Sequence, residues 1–347
     1  MYNPNFPLYK AVMKIGEHTI ETPIALAPMA GITDKPFRQL CRHLGAGWAV
    51  SEMLTSDPSL RHTRKTLSRS DWAGESGVHA VQIAGSNPQQ MAEAARYNVS
   101  LGAEVIDINM GCPAKKVCNV LAGSALLQNE PLVAEILATV VSAVEVPVTL
   151  KTRLGWHDEH KNILTVAKMA EEAGIAAIAI HGRTRTQMYR GEASYELIAE
   201  AKGRLKIPVW VNGDIDSPQK ATAVLQQTGA DGVMIGRAAQ GQPWLFRDLR
   251  EFAEKGELPA ALELAECVEI VLSHIRAMHD FYGKTAGMRI ARKHIGWYFS
   301  PLPNGNEARQ AINLLDSAAA QYDAVAAFLE SLPQLTDHWP CAYRQTV

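Results

Sequence analysis

An α/β chain folded as a closed (β/α)8 TIM barrel, followed by a smaller C-terminal all-helical domain, is what this sequence predicts. Three observations predict it. Short apolar, β-rich runs alternate eight times with segments of helical periodicity between residues 23 and 235, the pattern of a parallel sheet with right-handed crossovers. Polar residues end several of those runs, which puts them at the carboxyl ends of the strands, where barrels gather their chemistry. The strand signal stops near Gly256-Glu257-Leu258-Pro259 and only amphipathic helices follow. A doubly wound open sheet is the main rival, but no GxGxxG follows the first strand.

The strands are predicted at residues 23–29, 48–53, 78–84, 105–110, 146–151, 177–181, 209–212 and 232–235, with helices such as 88–101, 131–144, 163–173 and 218–228 between them. Beyond residue 256, the stretches 262–280, 288–299 and 307–329 each read as one amphipathic helix. These elements divide the chain into an N-terminal extension, 1–14, in which Met13 could be an alternative start; a catalytic barrel, 15–256; a helical domain, 257–332; and a tail, 333–347. The tail has no clear period and is expected to be mobile.

Composition narrows the functional classes. Hydrophobic residues make up 47% and charged residues 20% of the 347, as in a globular protein with a substantial core. No run reaches the roughly 18 apolar residues of a membrane span, and the N-terminus lacks the apolar region of a secretory signal. The five cysteines are scattered and form no CxxC pair. That favours reduced thiols in a cytoplasmic protein over a disulfide frame or a zinc site, so no metal is expected. A net charge of -2 means that any nucleic-acid role must rest on local basic patches.

The residues at the strand ends carry the chemistry. The seventh strand runs into Asn212-Gly213-Asp214 and the eighth into Gly236-Arg237. In many barrels these two loops cradle a phosphate with backbone N–H groups, although both glycines could simply make turns. Gln82, Lys151 and His181 interrupt apolar runs at other strand ends. Lys151 could meet the anionic edge of a reduced flavin or form a salt bridge across the mouth, and His181 could be a satisfied barrel histidine. Pro28, Met29 and Ala30 end the first strand with small or flat groups on which a ring could lie. Cys112, in Asn109-Met110-Gly111-Cys112-Pro113, has three readings: nucleophile, general acid or small buried hydrophobe. Lys115 and Lys116 lie nearby but no paired histidine does, and a thiol that is mostly protonated at neutral pH suits proton donation. Cys118 lies beyond the strand end and has a minor role.

Taken in order and spacing, Ala27-Pro28-Met29-Ala30-Gly31, Gln82-Ile83-Ala84-Gly85, Asp107-Ile108-Asn109-Met110-Gly111-Cys112-Pro113, Lys151-Thr152-Arg153, His181-Gly182-Arg183-Thr184, Asn212-Gly213-Asp214 and Gly236-Arg237 resemble the tRNA-dihydrouridine synthases. The resemblance runs from about residue 15 to residue 329 and is greatest to the bacterial B-type branch. It implies an FMN enzyme, reduced by NADPH or NADH, that converts a uridine of the tRNA D-loop to 5,6-dihydrouridine, at position 17 for the B branch. Hydride would pass from flavin N5 to uracil C6, and Cys112 would protonate C5. By motif, Pro28, Met29, Ala30, Gln82, Lys151, Asn212, Gly213, Asp214, Gly236 and Arg237 would hold FMN, and Lys151 would also stabilise the reduced ring. Asn109 and His181 would contact or orient the target base. The family also implies a monomer.

A tRNA substrate gives the helical domain a purpose, because a stacked base must be turned out to reach a barrel mouth. Arg289, Arg292 and Lys293 fall at i, i+3 and i+4 and share one helix face. Arg61, Arg64, Lys65 and Arg69 follow the second strand, and Lys115 and Lys116 the fourth. Each run alone reads as a solvated face; together they favour an anionic macromolecule, bound in a salt-sensitive way. One rival is an FMN barrel that reduces a free pyrimidine such as dihydroorotate. Another is a barrel that binds RNA without catalysis.

Overall fold

The structure, a computed structural model, describes residues 12–118 and 121–344, with Lys65, Lys115 and Lys116 described by backbone alone. It begins with an antiparallel hairpin of β1 (Met13–Ile15) and β2 (His18–Ile20). Met13, Ile15 and Ile20 are buried among Ala25, Trp48, Ala80, Val105, Ala177 and Trp210, residues at or near the strand starts. The hairpin therefore plugs the amino end of the barrel. It takes in Met13 and Lys14, which the sequence assigned to an extension; residues 1–11 lie outside the described residues.

The barrel strands are β3 (Ile24–Leu26), β4 (Trp48–Ala49), β5 (Leu54–Thr55), β6 (Ala80–Ala84), β7 (Val105–Met110), β8 (Val148–Arg153), β9 (Ala177–His181), β10 (Val209–Asn212) and β11 (Gly232–Ile235). They form one sheet in the order β4-β3-β11-β10-β9-β8-β7-β6-β5, and every pairing in it is parallel. β4 is the start of the second predicted strand, 48–53, and β5 lies just past its end; a parallel bridge from Val50 to Ala80 joins the sheet edges. The eight-fold barrel thus closes. The predicted strand 48–53 is broken at Ser51-Glu52-Met53 because Glu52, buried in an apolar setting, turns to partners of its own: the Gly31 N–H and the Arg69 guanidinium.

Helices α1 (Lys35–His43), α2 (Arg64–Arg69), α3 (Pro88–Ser100), α4 (Lys115–Cys118), α5 (Glu130–Val141), α6 (Ile163–Glu172), α7 (Glu196–Arg204) and α8 (Pro218–Thr228) fill the crossovers. Local chemistry sets their starts. Asp34, Asn87, Asn129 and Ser217 each accept a first-turn N–H at the head of α1, α3, α5 and α8, and each of these four helices has a proline in its first turn.

The chain divides after Gly236 into two compact units, twenty residues before the composition changes. The second unit takes in α9 (Leu245–Lys255), α10 (Leu264–Tyr282), α11 (Lys284–Phe299), α12 (Gly305–Asn313) and α13 (Ala318–Glu330). Val271, Ile275, Ile295, Tyr298, Phe299 and Val325 centre its core. The stretch predicted as one helix over 307–329 is two. α12 stops at Asn313, Ser317 caps α13 through the Ala320 N–H, and the intervening Leu315 carbonyl is taken by Arg292.

The tail corrects the expectation of mobility as far as Arg344. Trp339 packs edge-on against Trp244 at 5.4 Å. The Tyr343 hydroxyl donates to Asp248 Oδ2 at 2.9 Å, Arg344 pairs with the same carboxylate, and its Nη1 donates to the Pro259 carbonyl. Periodicity could not reveal this, because single anchoring side chains hold the segment rather than a helical face. Among the described residues, no helix is long and apolar enough to cross a membrane and no cluster suits a metal ion.

Candidate active site

Side chains alternate across a strand, so Asp107 and Asn109 share one face of β7, and Ile106, Ile108 and Met110 take the other. Register places Gln82, Asp107 and Thr149 in one row across β6, β7 and β8, with Asn109 beside Lys151 in the next row toward the carboxyl end. Thr149 Oγ1 donates to Asp107 Oδ1 at 2.6 Å, and Gln82 Nε2 donates to Oδ2 at 2.7 Å. Asn109 Nδ2 donates to Gln82 Oε1 at 2.6 Å. Asn109 Oδ1 then accepts the backbone N–H groups of Gly111, at 3.2 Å, and Cys112, at 3.0 Å.

The backbone at Cys112 is held from two further directions. Its carbonyl accepts from Ser124 Oγ at 2.8 Å and from the Ser124 N–H, with the buried Cys118 thiol at 3.6 Å. Arg153 Nε donates to the Gly111 carbonyl at 2.7 Å, while its Nη1 donates to the Thr184 and Met188 carbonyls. The thiol itself is half-buried, and burial pushes its pKa up. It is therefore protonated at neutral pH, which suits a proton donor and disfavours a resting nucleophile.

Lys151 is half-buried on the neighbouring strand β8. Its Nζ donates to Asn212 Oδ1 at 3.0 Å, and the Asn212 amide is oriented by its own bond to the Met234 carbonyl at 2.8 Å. Its hydrogen-bond partner is thus an amide rather than a carboxylate. Burial first, and then the Arg153 charge, push the Lys151 pKa down to about 8, against opposing pulls from Asp107 and Cys112.

His181 ends β9, buried, with its ring 6.4 Å from that of Tyr189. Gly213 lies against it: at φ +126° a Cβ there would stand 3.0 Å from His181 Cδ2 and 2.8 Å from Ala193 Cβ, so this position needs glycine. The Gly213 carbonyl accepts from Tyr195 Oη at 2.7 Å. The Asp214 carboxylate is committed to Arg183 in a two-pronged pair and to the Ala193 N–H. It braces the turn. Gly236 differs from Gly213. A Cβ there would meet only Met29 Sδ at 3.7 Å and Ala27 Cβ at 3.8 Å, so the space beside it is open. Pro28 and Met29 are half-buried and Ala30 is exposed. Arg237, exposed, opens the second unit.

The basic runs are less free than their composition suggests. Arg69 is spent on Glu52 at 2.6 Å and on the Met53 carbonyl. Arg61 lies over Tyr97 at 5.2 Å and near Glu93. Arg64 is exposed, and the side chains of Lys65, Lys115 and Lys116 lie outside the described residues. On α11, Arg289 is exposed, Lys293 is half-buried, and Arg292 donates to the Leu315 carbonyl. Sequence reasoning gave no role to Asp107, Arg153 or Arg183, although each lies two residues from a named polar residue on the same strand face or just past it. Glu52 had only the weak signal of a carboxylate inside an apolar run.

The family model described as "Dihydrouridine synthase (Dus)" matches residues 25–333. Curated relatives named tRNA-dihydrouridine synthase B are similar over nearly the whole chain. That of Pseudomonas syringae pv. tomato is 56% identical over 318 residues, 92% of this chain and 94% of its own. That of Xanthomonas axonopodis pv. citri is 55% identical over 330 residues, covering 94% and 99%, and that of Vibrio cholerae is 51% identical over 320, covering 92% and 99%. Among solved structures, a 2-naphthoyl-CoA reductase complex aligns with a TM-score of 0.55 at 15% identity, over 71% of this chain and 52% of that one. An old yellow enzyme homologue from Zymomonas mobilis aligns with a TM-score of 0.51 at 16% identity, over 74% and 94%. These two likenesses show the fold alone.

Proposed function

The chain belongs to the dihydrouridine synthase family, and from that premise we infer that it reduces uridine in tRNA to 5,6-dihydrouridine. The observation that carries the chemistry is the Cys112 thiol, fixed through its backbone and with its pKa raised by burial, at a barrel mouth that also holds the half-buried Lys151. The residues present fit FMN. Lys151 uses one of its three donors on Asn212, an amide that cannot neutralise it, and so suits an anionic ring. The open space beside Gly236 and the glycine at 213 suit a phosphate approached by backbone. Pro28, Met29, Ala30, Gln82, Asn212, Gly213, Asp214, Gly236 and Arg237 would complete the holding set. Bound flavin, reduced by NADPH, would supply the hydride to C6.

The chain's own residues do the rest. Cys112 Sγ gives its proton to C5. Lys151 balances negative charge across the site. His181 orients the base directly, whereas Asn109, with both ends of its amide engaged, orients Cys112. The proposed target is the D-loop uridine at position 17, the enzyme acting as a monomer in the cytoplasm.

Nucleoside mass spectrometry of tRNA lacking dihydrouridine, after incubation with the protein and NADPH, tests the reading. A gain of the mass of two hydrogens on a D-loop uridine supports it, and fragment mapping reads the position. No gain from a flavin-loaded protein that oxidises NADPH would favour reduction of a free pyrimidine such as dihydroorotate.

Two further results are expected. Arg289→Glu, at an exposed position, will weaken tRNA binding several-fold and flatten its salt dependence without altering the melt; unchanged affinity would return the advantage to the small-substrate rival. FMN affinity will fall as pH rises between about 7.5 and 9.5, because an anionic ligand favours protonated Lys151 and the unliganded group loses its proton near pH 8. Fluorescence titration will show that slope vanish in Lys151→Met, and a slope that persists there would remove Lys151 from the flavin site.

A further inference from the structure

The row beneath Cys112 contains a carboxyl group that the proposed reaction does not use. Asp107 is 4% exposed, in the middle of β7, and its neighbours Gln82, Thr149 and Asn109 are 1%, 5% and 6% exposed. A carboxylate so placed is costly unless hydrogen-bonded; here Thr149 satisfies one oxygen and Gln82 the other. The arrangement has a direction. An ionised carboxylate only accepts, so Gln82 must turn its NH2 toward Asp107 and its oxygen toward Asn109. Asn109 must then offer its NH2 to Gln82 and its oxygen upward, where the Gly111 and Cys112 N–H groups need an acceptor. Two carboxamides, each able to face either way in isolation, are set from two ends, by the Asp107 acceptor below and by the Gly111 and Cys112 N–H donors above.

We propose that Asp107 is a positioning residue for Cys112: its acceptor-only carboxylate fixes the Gln82 and Asn109 amides so that Asn109 Oδ1 holds the Cys112 backbone beneath the reacting base. Burial raises the Asp107 pKa, while Thr149, Gln82 and Lys151 pull it back; the protein thus bears a cost at this position that a neutral residue would avoid. The inference rests on the role given to Cys112 above, but the tether can be read without that role.

The test is alkylation of Cys112 by iodoacetamide, followed by peptide mass spectrometry in the purified protein. The other four cysteines, Cys41, Cys118, Cys267 and Cys341, are buried. Asp107→Asn keeps the size but presents both a donor and an acceptor, so Gln82 and Asn109 can flip and set an NH2 against the Cys112 N–H. Its Cys112 is expected to alkylate about fivefold faster or slower than wild type as the loop leaves its tether. Turnover on tRNA should fall about tenfold in kcat with KM unchanged. Thr149→Val removes a network bond but leaves the amide direction intact, and it should alkylate within about twofold of wild type.

Wild-type alkylation and turnover in Asp107→Asn would overturn the proposal. So would an equal change in Thr149→Val, which would show that any loss from the row loosens the loop. Failure of both Asp107→Asn and Asp107→Ser to fold would overturn it as well, by making Asp107 a residue of the fold. A wild-type protein that makes no dihydrouridine, yet shows the Asp107-dependent alkylation, would sink the reaction and leave the tether standing.

Discussion

Cys112→Ala will retain FMN and tRNA and will turn over at least about a hundredfold more slowly, the span that loss of a positioned general acid covers. The substitution is clean because the Cys112 loop is held through backbone atoms. Asn109 Oδ1 takes the Gly111 and Cys112 N–H groups, Ser124 grips the Cys112 carbonyl, and Arg153 grips the Gly111 carbonyl. Alanine keeps every one of these bonds and loses the proton, together with the bond that the thiol accepts from the Ala114 backbone. Hydride transfer without that proton would leave negative charge on the uracil, so the defect should appear in kcat rather than KM. Rapid-mixing measurements of flavin reoxidation by tRNA would check it. Reoxidation at the wild-type rate, or loss of flavin from the variant, would remove Cys112 from the chemistry.

Arg344→Ala will destabilise the helical unit by about 3 kcal/mol, the usual cost of stranding one member of a buried pair. Asp248 is 1% exposed and accepts from Tyr343 Oη and the Arg344 guanidinium, with Arg247 more distant at 3.8 Å. Denaturant unfolding would read the loss, and hydrogen exchange should place it in α9 and around the Trp339 contact. A change under about 0.5 kcal/mol, typical of an ordinary surface substitution, would mean that Tyr343 and Arg247 suffice.

Most of the barrel was legible in the sequence because burial on both faces leaves a parallel strand as an unbroken apolar run. β7, β9, β10 and β11 lie where those runs predicted. The second strand was misread for the same reason: Trp48 to Met53 looks like one such run, and Glu52, the residue that breaks it, acts through Gly31 and Arg69, partners distant in sequence. Distance in sequence hid only part of the split between α12 and α13: the Ser317 cap is local, whereas the Leu315 carbonyl is bound by Arg292, 23 residues away. At the site, the polar residues at strand ends were visible because they interrupt hydrophobic runs. Asp107 interrupts one too, but its direction became readable only once register set it between Gln82 and Thr149. Charge runs were the poorest guide, since composition cannot show that Arg69 is held by Glu52 and the Met53 carbonyl.

The pairing of Asp248 with Arg344 also sets an order in time. A chain is made from its amino end, and a domain generally folds as a unit. Asp248 is synthesised 96 residues before the arginine that neutralises it. Until Arg344 has left the ribosome, the helical unit must either hold a carboxylate balanced only by the more distant Arg247 or keep α9 loosely docked. The helical unit therefore completes itself only after Arg344 has emerged, whereas the barrel unit, whose last strand ends at Ile235, can close while those residues are still being made.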